Sequence, residues 1–120
     1  MTIRNALAGI AVQDLDAAVA WYTRLIGRAP DDHPMPEVSE YGFPGGGWLQ
    51  IFVDAGRAGH SSLTLTVDRL DDTIARLRSH GIACGEPTRS AYVDTSALMD
   101  PDGNQVILAE ARSTANKAAS

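Results

Sequence analysis

The chain has one cysteine, Cys84, so no disulfide can form within it. A chain without that brace belongs by default in a reducing compartment, the cytoplasm. Cys84 itself reads as a small buried apolar residue rather than a nucleophile. No apolar run approaches the roughly 20 residues needed to cross a bilayer, which argues against a membrane span. Met1-Thr2-Ile3-Arg4-Asn5 lacks the basic-then-apolar order of a signal peptide. Positive charge is scarce: 10 Lys and Arg face 15 Asp and Glu, for a formal charge of −5. Phosphate contacts need clustered cations, so nucleic acid is not an expected partner, whereas a neutral or cationic small molecule is compatible with this balance. Gly45-Gly46-Gly47 is followed by no Lys-Ser/Thr and opens no helix, so it is not a phosphate loop. Neither a nucleophile elbow nor a Ser-His-Asp order is visible along the chain.

What the sequence does have is internal repetition. Val12-Gln13-Asp14-Leu15-Asp16-Ala17-Ala18-Val19-Ala20 is answered 55 residues later by Val67-Asp68-Arg69-Leu70-Asp71-Asp72-Thr73-Ile74-Ala75. The turn at Gly45-Gly46-Gly47 before Trp48-Leu49-Gln50-Ile51-Phe52 is echoed by Pro101-Asp102-Gly103 before Asn104-Gln105-Val106-Ile107-Leu108. A unit of this length is too small to bury a core alone, so the two copies must pair.

Each copy reads as βαβββ. Residues 6–12 form a strand with Ala8, Ile10 and Val12 on one face. Asp14 caps a helix whose apolar stripe is Ala18, Val19, Tyr22, Leu25 and Ile26, and Gly27 ends it. Residues 28–35, with Pro30 and Pro34, read as loop. Strands follow at 37–43 and 48–53. In the second copy, 62–67 alternates cleanly, a helix starts near Leu70 and stops at Gly81, and 82–84, 92–99 and 105–109 read as strands. Asp100-Pro101-Asp102-Gly103 is a strong turn.

The Val-x-Asp-Leu helix start, the aromatic pair Trp21-Tyr22, Leu25-Ile26-Gly27, and Asp100-Pro101-Asp102-Gly103-Asn104 before the last strand together resemble the vicinal oxygen chelate superfamily. That superfamily includes glyoxalase I, extradiol dioxygenases and bleomycin-resistance proteins. The resemblance implies an α+β fold: two βαβββ modules that curl into a half-barrel cup. It implies one domain over residues 1–111, with modules at 5–54 and 60–110 and a polar tail at 112–120. It also implies a homodimer. In catalytic members a divalent metal sits in the cup, and the matching ligand positions here are Leu7, Gln50, Ser62 and Ile107. Leu and Ile offer no donor, so no metal and no cofactor is expected. His60, two residues before Ser62, is the nearest imidazole; it is read as solvent-exposed, ligand-contacting or, least favoured, a metal ligand.

Strand parity supplies the cup lining. With Leu49, Ile51, Val53, Leu63, Leu65, Val106 and Leu108 under the helices, Leu7, Trp48, Gln50, Phe52, Ser62, Thr64, Thr66, Gln105 and Ile107 face the cup. Gly9, Ala11 and Ala109 share that face. It carries no carboxylate, so acidic groups are expected only at rims such as Glu37, Glu40 and Asp54. Leu7, Trp48, Gln50, Phe52, His60, Ser62, Thr64 and Ile107 are the candidate ligand-binding residues; no catalytic residue is assigned. Apolar walls with a few hydrogen-bonding groups fit a small-molecule site, and two aromatic rings fit stacking. The same rings would also serve as filling for a closed barrel or a dimer seam. Three functions follow: a metal-independent sequestering protein of the bleomycin-resistance kind, a glyoxalase-like lyase or isomerase with a metal-free or displaced site, and an interaction domain with a closed cup. The first is preferred.

Overall fold

A computed structural model describes residues 1–112; the expected tail therefore lies outside the described residues except for Arg112. The chain runs β1 (Leu7–Val12), α1 (Leu15–Ile26), β2 (Asp32–Met35), β3 (Val38–Gly42) and β4 (Trp48–Val53), then β5 (Ser62–Thr66), α2 (Leu70–Ser79), β6 (Thr88–Arg89), β7 (Val93–Met99) and β8 (Gln105–Ala111). This is βαβββ twice. The first sheet has strand order β1-β4-β3-β2 and the second β5-β8-β7-β6, so each is mixed and the copies share one topology. In both, the first strand pairs parallel to the last, at Leu7↔Trp48 and Ser62↔Gln105.

Local chemistry sets the first helix. The Asp14 side chain accepts from Ala17 N at 3.2 Å, and Gly27, at φ 91°, closes the last turn in the left-handed region. Its stripe buries Ala18, Trp21, Tyr22 and Leu25. The second helix has Arg69 where the first has its Asp14 cap, and Arg69 makes no side-chain cap bond. Glu110 of β8 does this work from outside, accepting from Leu70 N at 2.5 Å. The helices brace one another at their C-terminal ends: Arg76 donates to Leu25 O at 2.7 Å, and Arg24 donates to His80 O at 3.1 Å.

Two strand expectations are corrected. Residues 32–35 are not loop but an edge strand paired antiparallel to β3, where Pro34 is tolerated because an edge needs no second ladder. Residues 82–84 are not a strand. Ile82 is buried in an irregular connection, and the sheet is instead extended by the two-residue β6.

The copies are pinned together by the Asp100–Asn104 turn. Asn104, with no exposed surface, donates from Nδ2 to Ala11 O at 2.9 Å and to Asp100 Oδ2 at 2.8 Å. Its Oδ1 accepts from Ser61 N at 2.9 Å. Asp100 in turn accepts from the Tyr22 hydroxyl at 2.8 Å and from the backbone N of Asp102 and Asn104, both at 2.9 Å. Burial, then the neighbouring Asp100 carboxylate, pushes the Tyr22 hydroxyl far above its ordinary pKa, so it stays a donor. Every buried side-chain nitrogen and oxygen of this set has a partner, the condition under which such a network stabilises rather than costs.

Candidate functional site

Strand register fixes which side chains share the open face of each sheet. On the first, Leu7 pairs with Trp48, Gly9 with Gln50 and Ala11 with Phe52, while Gly42, Glu40 and Val38 of β3 stand opposite the same three β4 residues. On the second, Thr64 pairs with Ile107 and Ser62 with Gln105. The alternating burial of β4, with Leu49 and Ile51 fully buried and Trp48, Gln50 and Phe52 half-buried, matches the parity read from sequence. Ala11 and Ala109 share the open-face parity yet are buried; Ala11 N also accepts no solvent role, donating instead to Ser61 Oγ at 3.2 Å where the two copies meet.

Each member of the β4 trio is held by a neighbour. The Trp48 indole lies flat against Gly42, where a Cβ would stand 2.8–3.0 Å from the ring. The Phe52 ring edge crosses Gly9, where a Cβ would approach Cε1 to 3.2 Å. These two glycines are slots for rings, which explains glycine in strands that otherwise disfavour it. Between them Gln50 Nε2 donates to Glu40 Oε2 at 2.8 Å. This corrects the carboxylate-free face expected from sequence: Glu40 lies on the open face itself, because the hairpin closed by Phe43 and Gly47 brings it opposite Gln50. Glu40 was visible as an acidic residue, but its face depends on cross-strand register. The Arg57 guanidinium stands over the Phe52 ring, 5.2 Å from its centroid, and sequence patterning gave no sign of it.

Two concavities open here. A cleft of about 1270 Å³ separates the edges of β1 and β5, with Leu7, Trp48 and Thr64 among its walls beside Leu25, Phe43 and Leu65. A smaller hollow of about 570 Å³ on the first sheet has Gln50 and Phe52 in its floor, with Met35 and Glu37 at its side. His60, Ser62 and Ile107 line neither; His60 is solvent-exposed in the β4–β5 connection. Of the candidate residues, Leu7, Trp48 and Thr64 thus belong to the cleft and Gln50 and Phe52 to the hollow, and the other three to neither. Arg28 closes one end of the cleft, donating to Asp31 Oδ2 at 2.7 Å and to Gly42 O, with its charge 5.7 Å from the Tyr41 ring centroid. The backbone N–H of Gly42, then Arg28, holds the Asp31 carboxyl below its usual range.

The ligand positions implied for a divalent metal do not fit one. Leu7 and Ile107 carry no donor atom, which leaves only the neutral oxygens of the Gln50 amide and the Ser62 hydroxyl. Among the described residues no three or more His, Cys, Asp or Glu side chains are grouped to hold an ion. None of the described helices is long and apolar enough to cross a membrane.

Comparison with known proteins agrees with this architecture. The chain superposes on a glyoxalase/bleomycin resistance protein from Catenulispora acidiphila with a TM-score of 0.80 and 32% identity, covering 88% of this chain and 96% of that one. TnmS3, an antibiotic binding protein from a Streptomyces species, matches with TM-score 0.76 and 22% identity over 92% of this chain and 98% of that one. A bleomycin resistance determinant encoded on the transposon Tn5 matches with TM-score 0.74 and 22% identity over 90% and 98%. At 22% identity these last two establish likeness of fold alone. No curated protein sequence matches the chain. Residues 4–108 match the sequence profile of the Glyoxalase/Bleomycin resistance protein/Dioxygenase superfamily, and the chain belongs to that family.

Proposed function

We propose that this chain binds a planar, uncharged or cationic small molecule in its cup, without a metal, and releases it unchanged. The observation that carries this reading is the open face of β4, where Trp48 and Phe52 flank the Gln50–Glu40 pair. Aromatic walls with a hydrogen-bonding pair between them bind and orient a ligand, and the Glu40 carboxylate favours a positive or donor-rich one. The implied ligand set of Leu7, Gln50, Ser62 and Ile107 supplies no Lewis-acid site for chemistry on an oxygen. The names of two structural neighbours, an antibiotic binding protein and a bleomycin resistance determinant, point the same way.

One observation favours a second reading, a metal-free lyase or isomerase. Glu40 is a half-buried carboxylate on the cup face, placed as a general base would be. Titration of planar aromatic amines against tryptophan fluorescence, with each compound recovered and its mass and structure analysed, separates the two. Sequestration predicts saturable quenching and recovery of unaltered compound. Conversion that disappears in Glu40→Gln would establish the enzyme instead.

We also propose a homodimer. β1 and β5 are unpaired sheet edges, and the cleft between them exposes Leu7 and Leu65 to solvent in a single chain. Light scattering at micromolar concentration is expected to give twice the chain mass; a monomer would refute the proposal.

A further inference from the structure

Phe52, which lines the smaller hollow beside Gln50, already has a cation over its ring. Arg57 sits at the tip of the turn after β4, where Arg57 N and Ala58 N both donate to Asp54 O, at 3.1 and 3.0 Å. Its side chain is 69% exposed, and its only ion pair among the described residues, to Asp54, is long at 3.8 Å. What its guanidinium does contact is the Phe52 ring, at 5.2 Å from the centroid. The edge of that ring stands over Gly9, where a Cβ would come within 3.2 Å of Cε1. Around the same hollow stand the carboxylates of Glu37, as a wall, and Glu40, through its bond to Gln50. An aromatic face beside two carboxylates is a place for a positive charge, and Arg57 supplies that charge from the chain's own turn.

We propose that Arg57 is a built-in competitor at this subsite: it covers the Phe52 face in the free protein and is displaced when the cationic group of a ligand takes the ring. The inference rests on the small-molecule reading above and adds a residue that sets how strongly a cation is preferred. The geometry suits displacement rather than permanent closure. Arg57 is exposed, weakly paired and carried on a turn, so moving it breaks one exposed cation–π contact and no buried hydrogen bond.

The test compares two probes of one shape, a naphthyl trimethylammonium salt and a neutral tert-butylnaphthalene, by fluorescence titration. Arg57→Ala is expected to tighten the cationic probe about two- to five-fold, the worth of one exposed cation–π contact, and to leave the neutral probe unchanged. In a Phe52→Leu background the same substitution is expected to have no effect on either probe. That arm controls for the altered net charge, which acts at long range whether or not the ring is present. Equal tightening of both probes, unchanged cation binding, or a gain that persists without Phe52 would overturn the inference. If the probes bind in a Trp48-dependent manner but ignore Arg57, only this inference falls. If neither binds in any variant, the small-molecule reading falls with it.

Discussion

Replacing Asn104 with Ala is expected to destabilise the protein by about 3–5 kcal/mol, because three buried groups lose a partner at once. Ser61 N loses its acceptor, Ala11 O loses its donor, and Asp100 Oδ2 keeps only Tyr22. Asn104 is completely buried, so water cannot replace these bonds without opening the junction. One of the three, the bond to Ala11 O, crosses between the βαβββ copies, which makes the loss one of module packing as well as of local turn geometry. For a chain of this size the thermal midpoint should fall by roughly 10–20 °C. Tyr22→Phe removes a single bond to Asp100 and is expected to cost about 1 kcal/mol. Circular dichroism melts of the two variants check the ordering. A midpoint for Asn104→Ala within a few degrees of the parent would mean that the junction is wet and the clip contributes little.

Trp48→Ala has its largest expected effect on binding. Loss of a stacking wall at a ligand hot spot costs about 2 kcal/mol, a drop of roughly thirty-fold in affinity. The fold should survive, because Trp48 is only half-buried and one side of its ring rests on Gly42 rather than in the central core. A fully packed core indole would instead cost about 3–5 kcal/mol of stability. The two outcomes separate cleanly in ligand-free thermal unfolding: a large fall in midpoint makes Trp48 a core residue and removes it from the site. Gly42→Ala is a useful companion. A Cβ there would push into the indole at 2.8–3.0 Å, so it should displace the ring without removing any side chain of the cup.

The features read correctly from sequence were those set by neighbours along the chain. Asp14 and Gly27 bound α1 because caps act within one turn, and the apolar run that follows the Pro44–Gly47 turn located β4 residue for residue. The parity of that strand placed Trp48, Gln50 and Phe52 together on one face. What sequence could not supply were pairings between distant segments. β2 was hidden because Pro34 is a poor strand residue that an edge position forgives. Glu40 appeared as a rim residue because its face follows from register with Gln50. The Asp100–Asn104 stretch was legible as a turn, but its bonds to Tyr22 and Ala11 span 78 and 93 residues. Nor did any local pattern announce that Glu110, 40 residues away, would cap α2 in place of Arg69.

Metal content tests the reading that this family scaffold works here without a metal. Protein purified under mild conditions without chelator, then analysed for Ni, Zn, Mn and Fe, is expected to hold no stoichiometric metal, since Leu7 and Ile107 bring no donor and Gln50 and Ser62 bring only neutral oxygens. One tightly held divalent ion per chain would contradict it.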